Sequence, residues 1–114
     1  MSDAPVVYLV YIAVDAGREA EWLRWMCDQH VPDVIATGSF DSATILRDPA
    51  SDSPHRVAFR IAYTAASQAA LTEYQRAHAP ALQAEHTARY EGCFEARREI
   101  LPVVHSIRQG RPGR

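Results

Sequence analysis

Residues 6–14, VVYLVYIAV, form the longest apolar run of the chain. The run is rich in β-branched and aromatic side chains and is apolar on both alternating faces, as a strand covered on both sides is. It is too short to cross a bilayer as a helix. The stretch therefore predicts a central strand of a sheet, and no membrane partner is expected.

The segment that follows this strand has the spacing of an amphipathic helix. After Asp15, a candidate N-cap, residues 17–30 carry one stripe at positions i, i+3, i+4 and i+7. The stripe consists of Leu23, Met26, Cys27 and His30. Pro32 is predicted to end this helix, and Thr37-Gly38 marks the turn that follows.

The rest of the chain repeats the same order. Residues 40–47 predict a weaker strand, residues 48–55 a polar loop, and residues 56–64 a strand with one core face. A second helix begins after the candidate N-cap Ser67 and is interrupted at Pro80, which opens a further helical piece. One face of the second helix carries Leu71, Tyr74 and His78. Residues 93–104 predict the last strand, ending near Pro102.

The two halves align with each other, with His30-Val31-Pro32 and His78-Ala79-Pro80 in register. The order strand, helix, strand, strand, helix, strand predicts a ferredoxin-like α+β sandwich, a four-stranded antiparallel sheet with helices on one face. We assign it to residues 1–106 and expect residues 107–114 to be a flexible tail. Because the first strand is apolar on both sides, the bare sheet face predicts a homodimer.

Composition narrows the functional class. The chain has 114 residues, 23% of them charged, and a net charge of −2, as an ordinary soluble domain has. Basic residues form no patch that would attract nucleic acid. Cys27 and Cys93 show neither metal nor redox spacing, so a reducing cytoplasm is the default location.

Several motifs taken together resemble one family. EWLRWM, HVPDVIATGSF, YTAASQAALTEYQRAHAPAL and FEARR are similar to the family known as domain of unknown function 4286, of the dimeric α/β-barrel superfamily. The resemblance implies the fold and a dimer, but no activity. Superfamily relatives include cofactor-independent monooxygenases, isomerases and haem-degrading enzymes, an analogy of fold alone. The chain departs from the family pattern in carrying Arg97 where an aromatic residue is usual.

Two histidines are the candidate catalytic residues. His30 and His78 each close a helical stripe, where imidazole can bond to the last carbonyls and favour the negative end of the helix dipole. The two helices should run in opposite directions, which would keep the imidazoles of one subunit apart. A general-base role for either stays open, and His78 is favoured because Tyr74 lies beside it. His86 and His105 are expected on the surface, and His55 in a loop.

Four residues are candidate ligand contacts. Tyr74 accompanies His78, and Trp25 is expected to pack on alanines of the second helix, or else to line a pocket or subunit contact. Arg60 and Arg98 each fall on an otherwise apolar strand face. A charge there needs a partner, either an ion pair with Glu95, Glu99 or the other subunit, or an anionic ligand that the arginine anchors.

Three functions remain open from these patterns. The first is a homodimer that binds a small apolar or anionic molecule in a helix-sheet cleft, with cofactor-independent oxygenase or isomerase chemistry at a histidine as an option. The second is a non-catalytic dimerising module, and the third is haem binding through His78. Motifs of hydrolases, zinc enzymes and nicotinamide enzymes are absent from the sequence, so neither a metal nor another cofactor is predicted.

Overall fold

Four antiparallel strands form the sheet of this protein, whose computed structural model describes residues 4–110. They are β1 (Val6–Asp15), β2 (Ser42–Arg47), β3 (Arg56–Ala65) and β4 (Phe94–Pro102). Their order across the sheet is β2-β3-β1-β4, so the apolar run of residues 6–14 lies in an inner strand, as predicted. Val10 of β1 faces Ile61 on one side and Arg98 on the other.

The two faces of β1 have different surroundings. Its even-numbered side chains point toward the helices and are at most 6% exposed: Val6, Tyr8, Val10, Ile12 and Val14. The odd-numbered side chains, among them Val7, Leu9 and Tyr11, are half-buried on the other face, which no α-helix of the described chain covers; only the short 3-10 turn Pro49–Ser51 borders it, near Tyr11. We refer to this second side as the open face. The α-helices and the π turn that joins two of them thus lie on one side of the sheet, which confirms the ferredoxin-like α+β prediction.

The first helical region does not end at Pro32, contrary to the prediction. It consists of α1 (Glu19–Trp25), a π-helical turn (Met26–His30) and α2 (Val31–Ala36). In the π turn the N–H of Val31 donates to the carbonyl of Met26, five residues back. Proline in a regular helix loses a hydrogen bond, and its ring collides with the carbonyl four residues back. The wider turn relieves this conflict, so the chain stays helical up to Ala36.

The buried stripe of this region also differs from the predicted one. Within residues 17–30 the buried residues are Trp22, Trp25, Met26 and His30, whereas Cys27 is exposed and Leu23 only half-buried. The tryptophans therefore form part of the core stripe rather than its flank. Asp15 is not a side-chain cap either, because its carboxylate binds the Arg56 guanidinium at 2.9 Å.

The second helical region follows the prediction closely. Helix α3 (Gln68–Ala77) begins after Ser67, whose hydroxyl accepts a hydrogen bond from the N–H of Ala70 at 3.1 Å. Helix α4 (Ala79–Tyr90) carries Pro80 in its first turn. His78 is the residue between the two helices, and its own N–H donates to the Tyr74 carbonyl at 2.9 Å. The same His-x-Pro pattern therefore makes a π turn in one half and a helix break in the other.

The two ends of the chain bear on the predicted domain limits. Residues 103–110 follow β4 without regular structure and are mostly exposed. Residues 1–3 and 111–114, which the predicted domain and tail include, lie outside the described residues, so those limits stay predictions. Among residues 4–110, no helix is long and apolar enough to cross a membrane.

Two glycines lie in turns where the backbone has a positive φ, a conformation that other residues rarely adopt. Gly38, after α2, has φ +81° and Gly92, before β4, has φ +78°. A Cβ at either position would meet no atom within 4 Å, so only backbone strain opposes a side chain there. We expect Gly38→Ala and Gly92→Ala each to lower the free energy of unfolding by about 1 kcal/mol in urea titrations.

The matched control is Gly17→Ala. Its Cβ would also meet nothing within 4 Å, and its φ is not positive. We expect this variant to be neutral or slightly more stable. An equal loss of stability in all three variants would contradict the assignment of the cost to positive φ.

Candidate functional site

A cavity of about 220 Å³ lies between the helices and the helix-facing side of the sheet. Its walls are largely apolar and aromatic, with five polar or charged side chains other than tyrosines. The lining residues are Tyr8, Val10, Ile12, Met26, His30, Ile61, Tyr63, Tyr74, Gln83, His86, Thr87, Phe94, Ala96 and Arg98. A concave apolar space with a few convergent polar groups is the usual form of a small-molecule site.

Three buried tyrosines form one wall of the cavity. The ring of Tyr8 lies 6.2 Å from that of Tyr63 and 6.1 Å from that of Tyr74, between ring centroids. Burial raises the pKa of all three phenols, that of Tyr74 to about 12. They are therefore neutral near pH 7 and can both donate and accept hydrogen bonds.

His86 is part of this site, although the sequence pattern placed it on the surface. It is only 5% exposed, because it lies on the inner stripe of α4, four residues after Leu82 and four before Tyr90. That i, i+4 spacing is the signal that could have identified it. Trp22 of α1 donates its indole N–H to Nε2 of His86 at 2.9 Å. Burial, with lesser effects of His30 and Arg98, lowers the pKa of His86 to about 4.

His30 lies beside His86 at the end of the π turn. The centroids of the two imidazole rings are 5.6 Å apart, and the ring of Trp25 packs on that of His30 with 5.1 Å between centroids. His30 is 8% exposed, and burial lowers its pKa against the opposing charge of Asp33. Both histidines are therefore neutral at pH 7.

The nitrogen atoms of His30 have unequal surroundings. Among residues 4–110, the side-chain polar atoms that are enclosed and without a hydrogen bond are His30 Nδ1 and the Tyr90 hydroxyl. Nε2 of His30 also has no hydrogen-bond partner in that range, but unlike Nδ1 it is not fully enclosed. Since the ring lines the cavity, Nε2 is the nitrogen that a bound molecule would reach.

Arg98 brings a positive charge to the cavity. It lies on the helix-facing side of β4, opposite Val10, and its side chain is exposed as well as lining the cavity. It therefore stands at the cavity mouth. It lies beside the Tyr8 hydroxyl, where its charge partly offsets the effect of burial on the pKa of that phenol. Among residues 4–110 no carboxylate forms an ion pair with Arg98.

The cavity brings together three of the six predicted site residues, namely His30, Tyr74 and Arg98. His78 is half-buried with its ring 6.3 Å from that of Tyr74, but it does not line the cavity. Trp25 lies behind the cavity wall, and its ring contacts His86 and Tyr90 of α4 rather than the alanines expected from the sequence.

Arg60, the remaining predicted residue, lies on the open face. It forms an ion pair with Asp48 at 2.8 Å, not with either of the two glutamates considered from the sequence. Its guanidinium also lies 4.4 Å from the ring centroid of Tyr11, which Arg97 covers at 3.6 Å. Arg60 and Arg98 therefore stand on opposite faces of the sheet and do not share a site within one protomer.

The described residues contain no group of three or more His, Cys, Asp and Glu side chains that could hold a metal ion. Cys27 and Cys93 are both free thiols.

Comparison with known proteins identifies the family. Residues 5–104 match the family described as Domain of unknown function (DUF4286). The chain belongs to this family. The resemblance drawn from the sequence motifs is thereby confirmed. A search of curated proteins found no match.

Solved structures show the same fold at low sequence identity. A protein of unknown function from Nitrosomonas europaea has 13% identity and a TM-score of 0.68, with 95% of this chain and 97% of that one covered. SnoaB, a cofactor-independent oxygenase from Streptomyces nogalater, has 15% identity and a TM-score of 0.64, with 96% and 98% covered. The haem-degrading protein MhuD from Mycobacterium tuberculosis has 19% identity and a TM-score of 0.65, with 90% and 98% covered.

The buried histidines predict a specific pH dependence of stability. The folded state holds the pKa of His86 at about 4, whereas an unfolded histidine titrates near 6.5. Between these values the unfolded state binds a proton that the folded state does not, so stability falls as pH falls. We expect the contribution of His86 to lower the free energy of unfolding in urea by up to about 1.4 kcal/mol per pH unit between pH 6.5 and 4.5.

The variant His86→Gln should flatten this dependence, because glutamine can still accept the Trp22 hydrogen bond but does not titrate. His55→Gln, at an exposed loop position, is the matched control and should leave the curve unchanged. Carboxylates with lowered pKa values, such as Asp48 and Asp52, change the free energy of unfolding only at pH values below this window. Parallel curves for the wild type and His86→Gln would contradict the assignment.

Proposed function

We propose that this protein binds a small aromatic acid, a phenol or a carboxylic acid, as its anion in the cavity between helices and sheet. One observation carries the proposal: Arg98, which no carboxylate of residues 4–110 neutralises, stands at the mouth of an aromatic-lined cavity that also holds two neutral histidines. A cation without a counter-charge in such a place favours an anionic ligand.

The size and lining of the cavity support a ligand of one or two rings. Drug-sized molecules occupy pockets of about 300 to 1,000 Å³, and this cavity has about 220 Å³. Its tyrosine and phenylalanine rings offer the offset and edge contacts that aromatic molecules prefer. Haem has less support, since the macrocycle is large for this volume and His78 does not line the cavity.

The site also supports proton transfer without a cofactor. When His30 carries its ring proton on Nδ1, Nε2 can accept the proton of a bound hydroxyl, leaving the electron pair on the ligand oxygen beside Arg98. An electron-rich phenolate is the kind of species that can react onward with oxygen or rearrange. SnoaB, which shares the fold, is a cofactor-independent oxygenase, and this likeness favours the oxygenase option.

A chromogenic phenol tests the proposal. We expect 4-nitrophenol to bind, and the bound phenol to ionise about one pH unit or more below its own pKa, because one unit needs only about 1.4 kcal/mol of differential stabilisation. The measurement is the visible absorbance of the phenolate during titration with protein. Arg98→Gln should abolish most of this shift, and His30→Gln should reduce it.

Two further variants interpret the result. Arg76→Gln, on the exposed surface of α3, removes the same charge elsewhere and should behave like the wild type. His78→Gln separates the two candidate histidines, since retention of the shift here and its loss in His30→Gln assigns the site to His30. The reverse result would assign it to His78, and absence of any shift in the wild type would refute the proposed function.

We also propose that the protein is a homodimer joined through the open face. Its central strand presents the apolar side chains Val7 and Leu9, while Arg60 and Arg97 enclose the ring of Tyr11 nearby. An apolar sheet face beside ordered, paired charges suits a self-complementary contact between two copies of the chain.

Leu9→Lys tests this contact. The substituted side chain would lie on an open sheet face in a monomer, so the fold should persist, whereas a dimer would bury the charge. We expect the dissociation constant of the dimer to rise roughly 100-fold, measured by analytical ultracentrifugation. Gln75→Lys, on the exposed side of α3, introduces the same charge and should leave the dimer intact. A wild-type protein that sediments as a monomer at micromolar concentration would overturn the proposal.

A further inference from the structure

The hydrogen bond between Trp22 and His86 restricts the imidazole to one protonation form. An indole N–H can only donate, so Nε2 of His86, 2.9 Å away, must be the acceptor. A neutral imidazole with a lone pair on Nε2 carries its proton on Nδ1. Trp22 is fully buried and His86 is 5% exposed, so water does not compete for this bond. The ring is therefore a hydrogen-bond donor through Nδ1.

The donor atom is accessible from the cavity. Nδ1 of His86 has no hydrogen-bond partner among residues 4–110. It is not fully enclosed, in contrast to the unpaired Nδ1 of His30 and the Tyr90 hydroxyl. His86 lines the cavity and is otherwise buried, so the cavity is where Nδ1 is reached. Arg98, on the same cavity, is also purely a donor. Two donors thus border a space that contains no carboxylate.

We propose that Trp22 fixes His86 as its Nδ1-protonated tautomer and that this N–H, together with Arg98, selects ligands that present a hydrogen-bond acceptor. The inference rests on the proposed function and assigns to His86 a role in specificity that the sequence did not suggest. Trp22 is a positioning residue in this scheme, since it acts on the ligand only through His86.

The selection has a simple physical basis. A phenolate or carboxylate oxygen accepts from both donors and carries the charge that complements Arg98. An aromatic amine of the same shape turns N–H groups toward them, offers no charge to Arg98, and leaves the buried Nδ1–H of His86 unpaired. The site should therefore separate two ligands that differ only in the direction of one hydrogen bond.

The tautomer is measurable without any ligand. Nitrogen-15 NMR of the imidazole distinguishes a protonated from an unprotonated ring nitrogen. We expect the wild-type protein at pH 7 to show His86 protonated on Nδ1, and Trp22→Phe to shift it toward the other tautomer or a mixture. Trp25→Phe is the matched control, because its ring contacts the same imidazole at 5.8 Å without this hydrogen bond. It should leave the tautomer unchanged.

Selectivity is measured with 4-nitrophenol and 4-nitroaniline by calorimetric titration. We expect the wild type to favour the phenol by about tenfold or more, as one satisfied charge-assisted bond against one unpaired donor requires. Trp22→Phe should reduce this ratio by several-fold, and Trp25→Phe should keep it. Should Trp22→Phe not fold, the wild-type tautomer and the wild-type ratio decide the matter by themselves.

The outcomes separate this inference from the proposed function. A wild type that binds neither compound refutes the proposed function and the ligand role of His86 with it. A wild type that binds 4-nitrophenol but shows His86 protonated on Nε2, or an equal affinity for 4-nitroaniline, overturns the inference while leaving the anion site in place. An unchanged ratio in a folded Trp22→Phe protein would overturn the positioning role of Trp22.

Discussion

The hydrogen bond from Trp22 to His86 is the interaction on which the arrangement of the site depends. It joins α1, from the first half of the chain, to α4, at the end of the second, behind a cavity that α4 and the π turn after α1 border. A buried imidazole without a partner would destabilise the fold by an estimated 1 to 3 kcal/mol. Because the bond satisfies one ring nitrogen and leaves the other toward the cavity, one contact serves both the packing and the polarity of the site.

The π turn accounts for the position of the second histidine. One wider turn shifts the helical phase after Met26, so that His30 continues the buried stripe begun by Trp22 and Trp25. Its counterpart in the other half, His78, stands at a break between two helices and remains half-buried. The repeated motif therefore produces one cavity residue and one interhelical residue, and the pseudo-symmetry of the fold does not extend to its chemistry.

The sheet separates two kinds of arginine environment. On the open face, Arg60 is held by Asp48 and stacks on Tyr11, so its charge is satisfied within the protomer. On the helix-facing side, Arg98 forms no ion pair with a carboxylate among the described residues. Burial lowers the pKa values of His30 and His86, and the charge of Arg98 adds a smaller effect in the same direction. The strand pattern placed both arginines on apolar faces but could not distinguish them, because the partner Asp48 comes from a loop whose path is set by tertiary packing.

The sequence alone was sufficient for the order of elements, the ferredoxin-like topology, the Ser67 cap and the family. The elements, their order and the cap depend on local spacing, since periodicities of two and of 3.6 residues record which side chains face a core. The family followed instead from the resemblance of whole motifs. Only the tertiary structure decided that the helix passes Pro32, that His86 is buried, and that the cavity holds His30 rather than His78. Each of these was settled by contacts between segments far apart in the chain. The i, i+4 spacing of His86 with Leu82 and Tyr90 is compatible with its burial, but no local pattern encodes its pairing with Trp22.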